Sequence, residues 1–283
     1  MGEAYTRAGR HAAAIKALEH ARTLRLDDWV CSYLIADVQS QTGQFTEAIT
    51  SLQSVLDEHP SELGVLIALS TAHLNNGTQQ MSSGFFARAE VSFLTAIEVS
   101  LNAMETNSGF SRVAWKIIAD SLFRYSDIQL PRETQRLSDA LITLKEILEA
   151  APSIQISKPL VDSFSPEVVS PLNTLEFAVA TYEYRISFGF YDDKAKASAW
   201  YDLGVALLTL RSRNAESHAT ITQEQAIRCL KEAVSAEPDE ELHWIALGDA
   251  YFLKNAKSAQ HAYIRSLELN SKVGMISLRC NVC

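Results

Sequence analysis

The chain has 283 residues, 47% of them apolar, with 11 Gly and 7 Pro, which excludes a disordered or low-complexity polypeptide and provides ample core-forming material. Its formal charge of −9 excludes a surface built for polyphosphate, since strong nucleic-acid binding needs clustered Lys and Arg to release counterions. Four cysteines are too few for a disulfide scaffold of this length, and no apolar run reaches the ~18 residues of a membrane span.

The first stretch, "GEAYTRAGRHAAAIKALEHA", carries Gly9, Ala14, Leu18 and Ala21, and these return 34 residues later as Gly43, Ala48, Leu52 and Val55. A 34-residue period, with small and large residues at fixed places on two successive helices, is the sequence signature of the tetratricopeptide repeat. Gly2 aligns with Ala36, a position where two helices cross, so the first helix is expected to lack its opening turn. Gly2 also satisfies an N-myristoylation pattern, but the repeat already gives it a structural place.

Residues 1–152 are expected to form about four repeats. The third is interrupted by "NNGTQQMSSGF", read as an exposed insertion between helices, and the fourth, about 112–152, carries Trp115 on its first helix and a long turn, "RYSDIQLPRETQRLSD". Residues 153–190 read as a connector rich in Pro and Ser followed by one lone amphipathic helix, "NTLEFAVATYEYRISF". Residues 191–273 supply two more repeats, marked by Trp200 and Gly204, then by Trp244, Gly248 and Tyr251, with "RSRNAESHATITQ" inserted in the first. Residues 274–283 are an atypical tail.

Gly204, Gly248, Ala48 and Ala259 fall where a larger side chain would force crossing helices apart, while Leu, Trp, Tyr and Phe recur at i, i+3, i+4 and i+7. One hairpin cannot cover such a stripe, so neighbouring hairpins must. Pro60, Pro152 and Pro238 follow the second helices and stop them. The expected fold is an all-α, right-handed solenoid of tetratricopeptide hairpins, cut at both ends: the N-terminal motif starts halfway, and no polar capping helix follows the last repeat.

Residues that could carry chemistry do not assemble. Cys280-x-x-Cys283 has the spacing of half a zinc site without a second pair, and the histidines are scattered, with His243 expected on a helix exterior and His73 replacing the Tyr of other repeats. No phosphate-binding loop or nucleophile elbow occurs. Acidic runs such as Asp27/Asp28 and Asp239–Glu241 sit at repeat boundaries, where they are expected to cap the next helix. No enzymatic activity, cofactor or metal is expected.

Binding by the concave face remains, with Tyr33, Asp37, Lys116, Asp120, Asp249 and Phe252 as candidate contacts on the first helices. Clamps for acidic peptide tails need several cations there; only Lys116 fits, and Asp120 lies one turn away to neutralise it. The asparagine ladder of sugar-transferase repeat arms is also missing, because its equivalents are Leu34, Ala68, Ile117, Asp202 and Ala246.

The order of regular and broken repeats carries a closer resemblance. "GEAYTRAGRHAAAIKALEHA" runs into "GQFTEAITSLQSVL", a split repeat with "GVLIALSTAHL" and "FFARAEVSFLTAIE" follows, then "AWKIIADSLF", a disrupted stretch, "WYDLGVALL" and "CLKEAVSAEPDEELHWIALGDAYF". Up to Lys272 this order resembles the central portion of the tetratricopeptide subunit of the superkiller (Ski) complex, whereas the tail "VGMISLRCNVC" departs from it. The resemblance implies a non-catalytic scaffold that helps hold an RNA helicase and WD40 β-propeller subunits together and, indirectly, supports 3′-to-5′ decay of messenger RNA by the exosome. It implies a cytoplasmic location and admits a nuclear one. The alternative is a partner- or substrate-binding arm of a larger enzyme or co-chaperone.

Overall fold

The computed structural model describes residues 2–24, 29–106, 111–129, 131–151, 153–166, 169–213, 219–252 and 254–269. Asp27, Asp28, Pro152, the tail 274–283 and its Cys280 and Cys283 lie outside the described residues. Within them the secondary structure is helical throughout, from α1 (Gly2–Arg7) and α2 (His11–Leu24) through α3 (Trp29–Gln41), α4 (Phe45–Glu58), α5 (Leu63–Ser82), α6 (Phe86–Thr106), α7 (Ser111–Tyr125) and α8 (Thr134–Glu149). A short α9 (Lys158–Asp162) and α10 (Pro171–Ile186) follow, then α11 (Asp193–Arg213), α12 (Ala219–Ala236), α13 (Glu241–Tyr251) and α14 (Ala256–Leu269). The chain divides into two compact units, Met1–Lys145 with Ser165–Thr174, and Glu146–Phe164 with Leu175–Cys283.

In the first unit, from α1 to α7, each helix packs on the next, and α3 touches α5, which in turn touches α7. That is the tetratricopeptide arrangement: first helices line one face and second helices the other. The turns between paired helices repeat one device. Gly43 adopts φ +79°, a backbone state favourable only for glycine, while the Gln44 amide donates to the Gln39 carbonyl (2.9 Å) and closes α3. Gly9 and Gly84 close α1 and α5 in the same way.

The shared core matches the expectation that no hairpin covers itself. Ala36 from α3, Ala48, Leu52 and Val55 from α4, and Val65 and Leu69 from α5 form one buried cluster. In the second unit, Ile227, Leu230 and Val234 of α12 pack with Ala246, Leu247 and Ala250 of α13 and Ala262 of α14, joining two hairpins. Crossing glycines are as close as the period requires: a Cβ on Gly2 would stand 2.5 Å from Leu18, on Gly204 2.6 Å from Leu230, and on Gly248 2.5 Å from Tyr263. Joints are pinned as well, since the Trp244 indole donates to the Pro238 carbonyl (2.8 Å) and Trp29 packs on His59 with ring centroids 5.8 Å apart.

Several expectations need correction. "NNGTQQMSSGF" is not an exposed insertion. α5 has 20 residues against 13 in α3, and α6 has 21 against 14 in α4, so seven extra residues on each arm add two turns to the hairpin. Within this extension Gly77 is buried, and Phe93 fills the space a side chain would need. His243 is not exterior: it is 4% exposed, its ring 5.1 Å from that of Tyr201. The helix read as amphipathic, α10, is buried from Thr174 through Glu183 on all sides. Glu240 occupies the N-cap position of α13 but makes no side-chain cap hydrogen bond, so the boundary acids act there through charge alone. Trp115 is buried, whereas Trp200 and Trp244 are half-buried.

Candidate protein-interaction surface

The candidate contacts occupy three first helices in pairs one helical turn apart. On α3, Tyr33 packs edge-on to Trp29 (6.5 Å between centroids), and Asp37 is exposed and accepts a hydrogen bond from Gln41 Nε2 (2.9 Å). Burial, then the Asp37 charge, pushes the Tyr33 phenol above its ordinary range. Asp37 and Gln41 also line a groove of about 320 Å³ with Thr6, Arg7, Leu18 and Leu34, between the first helices α1 and α3. On α7, Lys116 Nζ lies 3.1 Å from Asp120 Oδ2.

In the second unit, on α13, Asp249 accepts from the Tyr263 hydroxyl (2.7 Å), which ties the two helices of the last hairpin together. Phe252, one turn on, is 50% exposed. Asp37, Lys116, Asp120 and Asp249 each have a polar partner within their own repeat, and exposed aromatic surface is offered at Phe252. A face of this kind suits a partner that contributes apolar contacts and hydrogen bonds rather than a block of charge of one sign.

The structure also contains polar residues that the repeat pattern hides. Glu90 of α6 and Glu183 of α10 are buried carboxylates that gather distant backbone. Glu90 Oε1 accepts from the Tyr125 hydroxyl (2.7 Å) and from the amides of Arg132 (2.7 Å) and Glu133 (2.8 Å), which orders the turn entering α8. Burial, followed by the Glu90 hydrogen bond and charge, raises the Tyr125 phenol far above its ordinary value. Glu183 accepts from the amides of Gln155 (2.9 Å), Ile156 (2.8 Å) and Ser157 (2.9 Å) and from the Ser157 hydroxyl (2.6 Å). The connector read as loop is thereby fixed ahead of α9.

A signal for both acids does exist in the sequence. Glu90 shares the i, i+3, i+4, i+7 stripe of Phe93, Leu94 and Ile97, and Glu183 lies at the end of a stripe through Val179 and Ala180. A glutamate on an apolar stripe must find donors when the stripe is buried. Beside Glu183, Arg185 pairs with Asp202 of α11 at 3.2 Å, both side chains largely buried.

Among the described residues no group of three or more His, Cys, Asp and Glu could hold a metal ion. Among them, too, no helix is long and apolar enough to cross a membrane.

Stacked hairpins, shared cores and first-helix faces define an all-α array of tetratricopeptide type, an architecture for protein interaction. A tetratricopeptide-repeat family model matches residues 31–61, a stretch that takes in most of α3 and all of α4. Over most of its length the chain is similar to proteins named Superkiller protein 3: 26% identical over 268 residues to that of Schizosaccharomyces pombe, covering 92% of this chain and 19% of the relative. It is 23% identical over 287 residues to Superkiller protein 3 of Saccharomyces cerevisiae, covering 96% and 19% respectively. With Superkiller complex protein 3 of Mus musculus it shares 22% over 272 residues, covering 93% and 16%. The chain thus spans less than a fifth of the length of these relatives. Among solved structures, MamA residues 41 to the end from Desulfovibrio magneticus RS-1 aligns with a TM-score of 0.48 at 15% identity, covering 87% of this chain and 96% of that one.

Proposed function

We propose that this chain is a non-catalytic scaffold segment of a Ski-type complex, in which a larger tetratricopeptide subunit holds an RNA helicase and WD40 β-propeller subunits and so supports 3′-to-5′ messenger RNA decay by the exosome in the cytoplasm. The observation that carries the reading is the similarity to Superkiller protein 3 across 92–96% of the chain in two yeasts, broken repeats included. The aligned span takes in the lengthened and interrupted repeats as well as the regular ones. The candidate face suits the role: Tyr33, Asp37, Lys116, Asp120, Asp249 and Phe252 offer mixed, internally compensated chemistry, as expected of a segment that docks folded partners rather than a charged tail. The net charge of −9 leaves RNA contact to the partners.

Affinity purification of the full-length tagged protein tests this. The expected result is recovery of a helicase and β-propeller subunits in fixed proportion. Recovery instead of a chaperone, or of a catalytic domain in the same polypeptide with no helicase, would defeat the reading.

A further inference from the structure

The connector ahead of α10 carries the two Ser-Pro dipeptides of the chain, Ser165-Pro166 and Ser170-Pro171, and they are in opposite states. Ser170 caps α10. Its carbonyl accepts from the Thr174 amide (3.4 Å), its hydroxyl donates to Asn173 Oδ1 (2.7 Å), and its amide donates to the same oxygen (3.0 Å). The Asn173 amide donates back to the Ser170 hydroxyl (3.3 Å), which completes a reciprocal capping box with Pro171 at the first helical position. The Ser170 hydroxyl is therefore half-buried and engaged as donor and acceptor at once.

Ser165 is the reverse case. It is exposed, lies outside any helix, and its hydroxyl makes no hydrogen bond among the described residues. Its neighbours are anchored: Phe164 is 4% exposed and packs edge-on to Phe177 with ring centroids 5.0 Å apart, and the Pro166 carbonyl accepts from the Ser138 hydroxyl at 3.4 Å. Successive side chains of extended backbone point to opposite sides, so seating Phe164 inward turns Ser165 outward. Pro166 restricts Ser165 to extended backbone and brings no amide hydrogen of its own. A proline-directed protein kinase selects this combination, an accessible serine on extended backbone followed by a residue with no N–H to leave unpaired in the enzyme's cleft.

We infer that Ser165 is a phosphorylation site for a proline-directed serine/threonine kinase, and that Ser170, with the same dipeptide, is not. Ser165 Oγ attacks the γ-phosphorus of ATP: the Oγ–P bond forms as the bond to the β,γ-bridging oxygen breaks, ADP leaves, and the hydroxyl proton passes to the carboxylate base of the kinase. The product adds about 1.5 to 2 negative charges to a chain already at −9, together with three strong acceptor oxygens, at a place where no side-chain hydrogen bond of the fold is lost. Phosphate there marks the connector for a partner bearing arginine instead of melting it. The inference stands on the connector alone, whether or not the chain serves a Ski-type complex.

The test treats the 283-residue chain with Mg-ATP and a purified cyclin-dependent kinase, and in parallel a synthetic peptide of residues 160–174, in which both serines are free of the fold. Site-resolved mass spectrometry follows the phosphate. The peptide should be modified at both serines; the folded chain should be modified at Ser165, with Ser170 at least ~fivefold slower, the factor implied by giving up an N-cap hydrogen bond. Pro166→Ala, at an exposed position, should sharply reduce phosphate at Ser165, and the phosphorylated chain should keep the Tm of the parent. Modification of the peptide but not of the folded chain, equal rates at Ser165 and Ser170 in the folded chain, indifference to Pro166→Ala, or a marked fall in Tm on phosphorylation would each overturn the inference.

Discussion

Phe93 fills the place a side chain on Gly77 would take: a Cβ there would stand 2.7 Å from Phe93 Cε1 and 2.8 Å from Cδ1. Phe93 is completely buried and has no room to yield, so the lengthened α5–α6 hairpin depends on glycine at this point. Gly77→Ala should destabilise the first unit by roughly 1–3 kcal/mol through overpacking. Chemical denaturation will measure the loss, and Phe93→Leu should recover part of it when added to Gly77→Ala. No recovery in the double mutant would show that the glycine is required for another reason.

Glu183 joins α10 to the connector through four hydrogen bonds, three of them from backbone amides. Replacing it with alanine leaves those donors without a charged acceptor, so Glu183→Ala should cost about 3 kcal/mol or more in the second unit. Glu183→Gln, which retains one acceptor oxygen, should cost less. Hydrogen exchange at the Gln155, Ile156 and Ser157 amides is the direct readout: it should accelerate strongly in the alanine variant. Unchanged protection there would mean that the connector is held by other contacts.

The regular part of the fold was legible because tetratricopeptide packing is periodic. Gly204, Gly248 and Ala48 carry their crossing role in spacing and size, and the turn glycines Gly9 and Gly43 repeat at 34 residues. The same period misleads at Gly77, which stands 34 residues after Gly43 but lies inside a helix; the turn is made at Gly84, after two added turns. His243 and α10 depart from their sequence pattern for a different reason. Polar residues at helical spacing suggest a solvated face, and only tertiary contacts reveal that Tyr201 covers His243 and that α10 is enclosed. For the candidate surface the sequence supplied the residues and even the Lys116–Asp120 pair, but the Asp249–Tyr263 bond depends on how two helices cross.

His73 provides a pH-dependent stability. It occupies the place of Tyr in other repeats, neither ring nitrogen has a hydrogen-bond partner, and burial lowers its pKa from 6.5 to about 4. The unfolded chain therefore takes up a proton at this residue before the folded chain does. The corresponding stability is fully present above pH 6.5 and declines as pH falls from there toward 4. His73→Phe should flatten this part of the profile, so the gap in Tm between variant and parent should grow in favour of the variant between pH 7 and pH 5. A constant gap over that range would contradict a neutral, unpartnered imidazole at this position.

Cys229 offers a probe of the second unit. Its side chain is 2% exposed on α12, and burial, reinforced by the charge of Glu183, pushes the thiol up to about 12. Because the thiolate is the reactive form, native protein at pH 8 should leave Cys229 unlabelled by iodoacetamide, whereas protein in urea should label fully. Site-resolved mass spectrometry distinguishes this cysteine from the other three. The Glu183→Ala variant removes the nearby negative charge and loosens the connector together, and both changes act in the same direction, so labelling of Cys229 should accelerate in that variant at unchanged pH. Rapid labelling of the native parent would show that α12 opens readily, and would contradict the close packing of Leu230 against Gly204 on which the first hairpin of that unit is built.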